Sequence, residues 1–175
     1  MPSPSPPSPA GNPSDNRTPP PQHPILHFIN YNVATVCGVG LSPIAPGTVG
    51  SAAALLLIWL FYPAYGWAQV LLLFAVTALA CYSANWLAEA LDTKDPSLVV
   101  VDELAGMLAT FLFIPQPYDW KVLIAGFLLF RLFDIWKPWP VNRLERLPGG
   151  FGIVLDDVMA GFYATSLLHL GLWYW

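Results

Sequence analysis

Charge is what this sequence has least of. Only 10% of its 175 residues are charged, against roughly a quarter in an ordinary soluble domain. A chain of this length can bury a core in water, but it must also build a polar skin, and these side chains are too few to make one. With 55% hydrophobic residues, lipid is the expected solvent. The seven basic residues form no continuous stripe and the net charge is -4, which excludes a nucleic-acid surface. Cysteine is also scarce. Cys37 and Cys81 lie in or beside apolar stretches, with no CxxC and no His at metal-ligand spacing, so a disulfide framework and a zinc site are set aside and both are expected as buried thiols. His23, His27 and His169 belong to no HExxH or Ser-His-Asp order, and there is no GxGxxG. Common nucleophile, zinc-protease and dinucleotide chemistries are thereby disfavoured.

Aromatic residues, by contrast, are plentiful. Eight Trp and seven Tyr fit side chains that favour the membrane interface, and the closing Trp173-Tyr174-Trp175 reads as such an anchor. Residues 1–24 hold ten of the 19 prolines and lack the apolar core of a signal peptide, which predicts a disordered Pro/Ser-rich tail. Residues 25–175 form the expected membrane-embedded domain. Apolar runs over Val49–Tyr62, Gly66–Leu91, Leu98–Ile114, Val122–Ile135 and Ile153–Trp173 are separated by Pro63, by Pro115 and Pro117, and by Pro138 and Pro140. They show no period-2 pattern, and unsatisfied backbone is costly in hydrocarbon, so they are expected as helices. The predicted fold is all-α: a polytopic bundle of about four or five transmembrane helices, some short enough to need tilting. If all five cross, segments 35–50, 92–98 and 136–152 share one side. Lys94, Lys137, Arg143, Arg146 and Arg17 face it, Lys121 faces the other, and the positive-inside bias makes the first side cytoplasmic.

Ionisable residues inside apolar helices mark sites. Asp102 and Glu103 interrupt the third run. Asp95-Pro96 reads as an N-cap with Pro at the first helical position, which would place these acids two turns into the helix. Asp156 and Asp157 open the fifth run, and the same spacing occurs twice, as Asp102-x-x-Ala105-Gly106 and Asp157-x-x-Ala160-Gly161. On a helix, a glycine one turn from a carboxylate admits a neighbouring backbone while the acid points into the same seam. Two such helices facing each other place carboxylates around one cation, and oxygen-only ligands favour Mg²⁺ over zinc. Acids at helix ends in headgroup water are the alternative. Arg131, Asp134 and Lys137 admit two readings: Asp134 extends the metal shell while Lys137 meets an anionic substrate, or the three form a structural salt bridge. Upstream of the first run, Pro46-Gly47-Thr48-Val49-Gly50-Ser51 leads into a helix N-terminus, where free N–H groups and glycines suit a phosphate.

At these residues the chain resembles the phosphatidylglycerophosphatase A family, through GVGLSPIAPGTVGS (38–51), DPSLVVVDELAGM (95–107) and FRLFDIWKPWPVNRLERLPGGFGIVLDDVMAG (130–161). The resemblance implies a bacterial inner-membrane, Mg²⁺-dependent enzyme that hydrolyses phosphatidylglycerophosphate to phosphatidylglycerol and phosphate. It implies Asp102, Glu103, Asp134, Asp156 and Asp157 as metal ligands and, with Lys137, as the catalytic set. Gly47, Thr48, Ser51, Lys137 and Arg143 are implied as substrate contacts. A metal-activated water is the preferred nucleophile, because no activated Ser, Cys or His stands near the acids. A small transporter or channel that uses its acids for cation handling is the alternative function.

Overall fold

The apolar runs fold as helices in the computed structural model, which describes residues 24–174. Seven α-helices and one short 3-10 helix, Val39–Leu41, are present among these residues, and no strand. The α-helices are α1 (Pro24–Ala34), α2 (Pro46–Phe61), α3 (Gly66–Ala90), α4 (Val101–Thr110), α5 (Trp120–Trp136), α6 (Val141–Leu144) and α7 (Gly150–Tyr174). The expected tail lies outside the described residues except for Pro24, with which α1 opens. Arg17, His23 and Trp175 lie outside them too.

Local chemistry sets the boundaries. Pro46 occupies the first turn of α2, where its missing N–H costs nothing, and the helix stops at Phe61 before Pro63. Asp119 caps α5 by accepting from Lys121 N–H at 3.0 Å. Lys137 ends α5 in the left-handed region at φ 46°, ahead of Pro138. Gly150 N–H, at the start of α7, donates to Asn85 Oδ1 of α3 at 3.2 Å.

Two expectations need correcting here. The third run was expected as a helix over Leu98–Ile114 with an Asp95 N-cap, but α4 begins only at Val101. Val100 N–H is held by Ala34 O at 2.9 Å, which keeps residues 95–100 out of the helix and puts Asp102 and Glu103 in its first turn. The sequence reading also assigned no helix before Val49, whereas α1 packs along α3.

α4 is the centre of the bundle. Nine of its ten residues are buried, and α2, α3, α5 and α7 surround it, α7 most extensively. The surrounding helices turn large apolar side chains outward, among them Phe61, Phe74, Leu128 and Ile135. In water such continuous apolar faces would be unfavourable; in lipid they are the expected surface. α3 and α7 each have 25 residues and are long and apolar enough to cross a membrane. α2, with 16 residues, is a shorter apolar helix.

The connections gather at two ends. At one, Gly47, Lys94, Lys137 and Gly149 line a common cavity. At the other, Gln116 Nε2 donates to Pro63 O at 3.2 Å, and Lys121 lies with Leu172 and Tyr174 around an apolar cleft.

Candidate active site

The repeated Asp-x-x-Ala-Gly pattern builds the seam between α4 and α7. Ala105, Ala160, Gly106 and Gly161 are all buried. A Cβ on Gly161 would come 2.2 Å from Gly106 O, and one on Gly106 would stand 2.7 Å from Asp157 O. Only glycine allows the two backbones this close. The approach carries Asp102 and Glu103 toward Asp157, and one carboxylate oxygen from each lies within 4.8 Å of the others.

All three acids are buried. At that separation their charges repel strongly in a low-dielectric interior. Glu103 Oε2 is buried and has no hydrogen-bond partner among the described residues. A buried carboxylate oxygen without a donor is costly. Three hard oxygen ligands with one oxygen unmatched suit a small divalent cation such as Mg²⁺, and do not suit a metal that needs sulfur or imidazole. The residues present therefore fit the implied metal.

The remaining acids are held by cations. Asp156 Oδ2 accepts from Lys137 Nζ at 2.8 Å, and Glu145 lies 3.3 Å from the same nitrogen. Partial burial pulls the Lys137 pKa down, but the hydrogen bond and charge of Asp156, with Glu145 adding to them, outweigh it and leave the pKa above the ordinary lysine value. Asp134 pairs with Arg131 at 2.7 Å. The spacing had admitted a salt bridge joining Arg131, Asp134 and Lys137; the observed partners of Lys137 are Asp156 and Glu145 instead. The left-handed turn at residue 137 and the helix start at Gly150 bring the ammonium onto α7.

A cavity of about 260 Å³ opens over this cluster. Gly47, Asp102, Glu103, Asp134, Lys137, Asp156 and Asp157 line it, joined by Lys94, Asp95, Ser97 and Glu145. Three expected substrate contacts do not line it. Thr48 is exposed, as is Arg143 on α6. Ser51 is fully buried, donating to Gly47 O at 2.8 Å and accepting from Arg131 Nη1 at 3.4 Å. The thiols also divide: Cys81 is buried as expected, but Cys37 is exposed, because it sits in the turn after α1 at φ 53°.

Sequence reasoning missed Glu145 and Asn85. Glu145 lies in a polar connection where nothing singles it out. Asn85, which holds the N-terminus of the acid-bearing α7, carried a signal: an amide near the end of an otherwise apolar run.

A family model described as Phosphatidylglycerophosphatase A matches residues 32–172. A Bacteroides thetaiotaomicron protein named, provisionally, a phosphatidylinositol-3-phosphatase is 38% identical over 153 residues, covering 83% of this chain and 95% of that protein. Phosphatidylglycerophosphatase A of Escherichia coli K12 is 38% identical over 135 residues, covering 75% and 77%. Its namesake from Haemophilus influenzae Rd is 36% identical over 141 residues, covering 79% and 85%. No solved structure matches the chain. The match spans every element from the end of α1 into α7, including all the acids at the seam, and the chain belongs to the phosphatidylglycerophosphatase A family.

Proposed function

We propose that this protein is a lipid phosphatase that hydrolyses phosphatidylglycerophosphate to phosphatidylglycerol and inorganic phosphate. The observation that carries the reading is the buried Asp102-Glu103-Asp157 cluster beneath a cavity edged by Lys137, in a chain whose family bears that activity in its name. The names of the similar proteins are all phosphatase names, which favours the hydrolase over a cation transporter.

Asp102, Glu103 and Asp157 are the residues that would hold Mg²⁺, with Asp134 and Asp156 at its edge. A bound Mg²⁺ supplies positive charge to the transferring phosphoryl group and acidity to a nearby water. Lys137 keeps its proton under the field of Asp156 and presents an ammonium to the phosphate from the side of α5. Gly47, in the first turn of α2, lets backbone N–H groups approach the same anion.

The apolar outer faces support membrane embedding. We place α2, α3, α5 and α7 across a bacterial inner membrane, with α4 and the turns after it completing a fifth passage inside the protein. Lys94, Lys137, Arg143 and Arg146 gather at the cavity end, which makes that end cytoplasmic by the positive-inside bias.

The test is phosphate release by the purified protein in detergent, with and without Mg²⁺, from phosphatidylglycerophosphate and from phosphatidylinositol 3-phosphate. Mg²⁺-dependent release from the first is expected. No release from either lipid would overturn the reading, and a preference for the second would reassign the headgroup.

A further inference from the structure

Arg131 belongs to two surfaces at once. Its Nη1 lies 2.7 Å from Asp134 and 4.0 Å from Glu103, inside the acidic site. The same side chain also lines a shallow groove on the outer face of α5 with Leu128, Leu132, Ile135 and Trp136. Those four neighbours are exposed and apolar, so this face is a lipid-facing one in the arrangement proposed above. A guanidinium is costly at such a boundary unless it meets an anion. Asp134 supplies one on the inner side. The groove supplies none among the described residues.

We propose that Arg131 binds the diester phosphate of the substrate lipid while Lys137 meets its terminal phosphomonoester. This deepens the lipid-phosphatase reading and rests on it. Six residues separate the two cations along α5, a rise of about 9 Å, within reach of two phosphates joined through a glycerol. The order also fits. Passing outward from the hydrocarbon, a phosphorylated glycerophospholipid presents acyl chains, then the diester, then the headgroup, then the monoester. Along α5 the order is Leu128, then Arg131, then Lys137 at the helix end, then water. A guanidinium offers five N–H donors in a fork, and the contacts to Ser51, Glu103 and Asp134 all run through Nη1. Arg131 can therefore hold Asp134 on one edge and a phosphate on another. Such a contact would select lipids that carry a diester beneath the monoester over those, like phosphatidate, with a monoester alone.

The experiment is equilibrium titration of the full chain in detergent with Mg²⁺ present. Short-chain phosphatidylglycerol, which has the diester and no monoester, is one probe; inorganic phosphate is the other. Arg131→Gln is expected to weaken phosphatidylglycerol binding about tenfold or more while leaving phosphate within about twofold of the parent. Arg131→Lys keeps a cation beside Asp134 but loses the fork, and is expected to weaken phosphatidylglycerol about threefold, with phosphate unchanged. If the Gln variant does not fold, the Lys variant decides. Equal weakening of both probes would make Arg131 a positioning residue for the acids and overturn the proposal, as would unchanged phosphatidylglycerol binding. A parent that binds phosphatidylglycerol but releases phosphate from no lipid would instead sink the phosphatase reading, leaving the Arg131 contact measurable.

Discussion

Asp102-Glu103 on α4 and Asp156-Asp157 on α7 are built alike and partnered differently. In each pair the first aspartate accepts from the next residue's N–H, at 3.0 Å on α4 and 3.1 Å on α7. In each helix a glycine one turn on admits the other backbone. The outer acid of the α7 pair, Asp156, holds a lysine at 2.8 Å. The outer acid of the α4 pair, Glu103, reaches a guanidinium only at 4.0 Å and keeps a buried oxygen without a donor. The same pairing thus has two outcomes: on α7 it holds a protein cation at the cavity, and on α4 it leaves a buried carboxylate oxygen that no protein donor meets.

Removing either central acid should break the arrangement most completely. Asp102→Asn or Asp157→Asn is expected to lower turnover about 10³-fold or more, because each takes one ligand from a charge cluster aimed at the phosphoryl group. Melting temperature should rise with Mg²⁺ in the parent and stay flat in both variants, since ligand stabilisation needs the site. Activity within a few fold of the parent in both would remove the shared site.

Lys137 tests the other half of the comparison. Lys137→Met is expected to lower kcat/KM on the order of 10²-fold. It should also destabilise the fold by about 1–3 kcal/mol, less than the loss of a fully buried pair because the lysine side chain is 28% exposed. Lys137→Met with Asp156→Asn should recover the melting temperature without recovering turnover. Recovery of both would make Lys137 a structural cation only.

Much of this was legible in the sequence because membrane chemistry leaves few alternatives. A carboxylate in an apolar run must face a partner, so Asp102, Glu103, Asp134, Asp156 and Asp157 could be read before any fold existed, and the twice-repeated Asp-x-x-Ala-Gly pointed to the helices that meet. Pairings fixed by backbone direction were not legible. Lys137 turns to Asp156 because its own φ is positive, and α4 starts late because Ala34 O takes the Val100 N–H; neither leaves a trace in residue spacing. The family resemblance implied Ser51 as a phosphate contact, yet its hydroxyl is fully buried against Gly47 O and Arg131.

The seam itself can be broken without touching an acid. Gly161→Ala would drive a Cβ against Gly106 O, and Gly106→Ala would drive one against the Phe130 ring. Each is expected to cost about 1–3 kcal/mol of stability, the range for overpacking a filled core. Gly171 lies ten residues beyond Gly161 on the same helix, with nothing within 4 Å of an added Cβ. Gly171→Ala should be neutral, or stabilising by up to about 1 kcal/mol through helix propensity. Equal losses at Gly161 and Gly171, read by thermal melts in detergent, would mean that close approach at the seam is not what holds the pairs together.

The smallest expected effect separates the two outer acids most sharply, because it predicts opposite signs. With Mg²⁺ removed by chelation, Glu103→Gln takes one negative charge from a buried group of three. Arg131 keeps its 2.7 Å bond to Asp134, and the new amide offers a donor where the carboxylate had an unmatched oxygen. Stability should rise by about 1 kcal/mol. Asp156→Asn under the same conditions removes the 2.8 Å partner of Lys137 and leaves the ammonium only Glu145, whose side chain is 48% exposed. Stability should fall by about 1 kcal/mol. Adding Mg²⁺ should then separate the variants again, raising the melting temperature less in Glu103→Gln than in Asp156→Asn, since Glu103 belongs to the close group of oxygens and Asp156 does not. Shifts of the same sign in chelator would show that the two pairs share one electrostatic environment, and the division between a lysine-holding pair and a metal-holding pair would have to be abandoned.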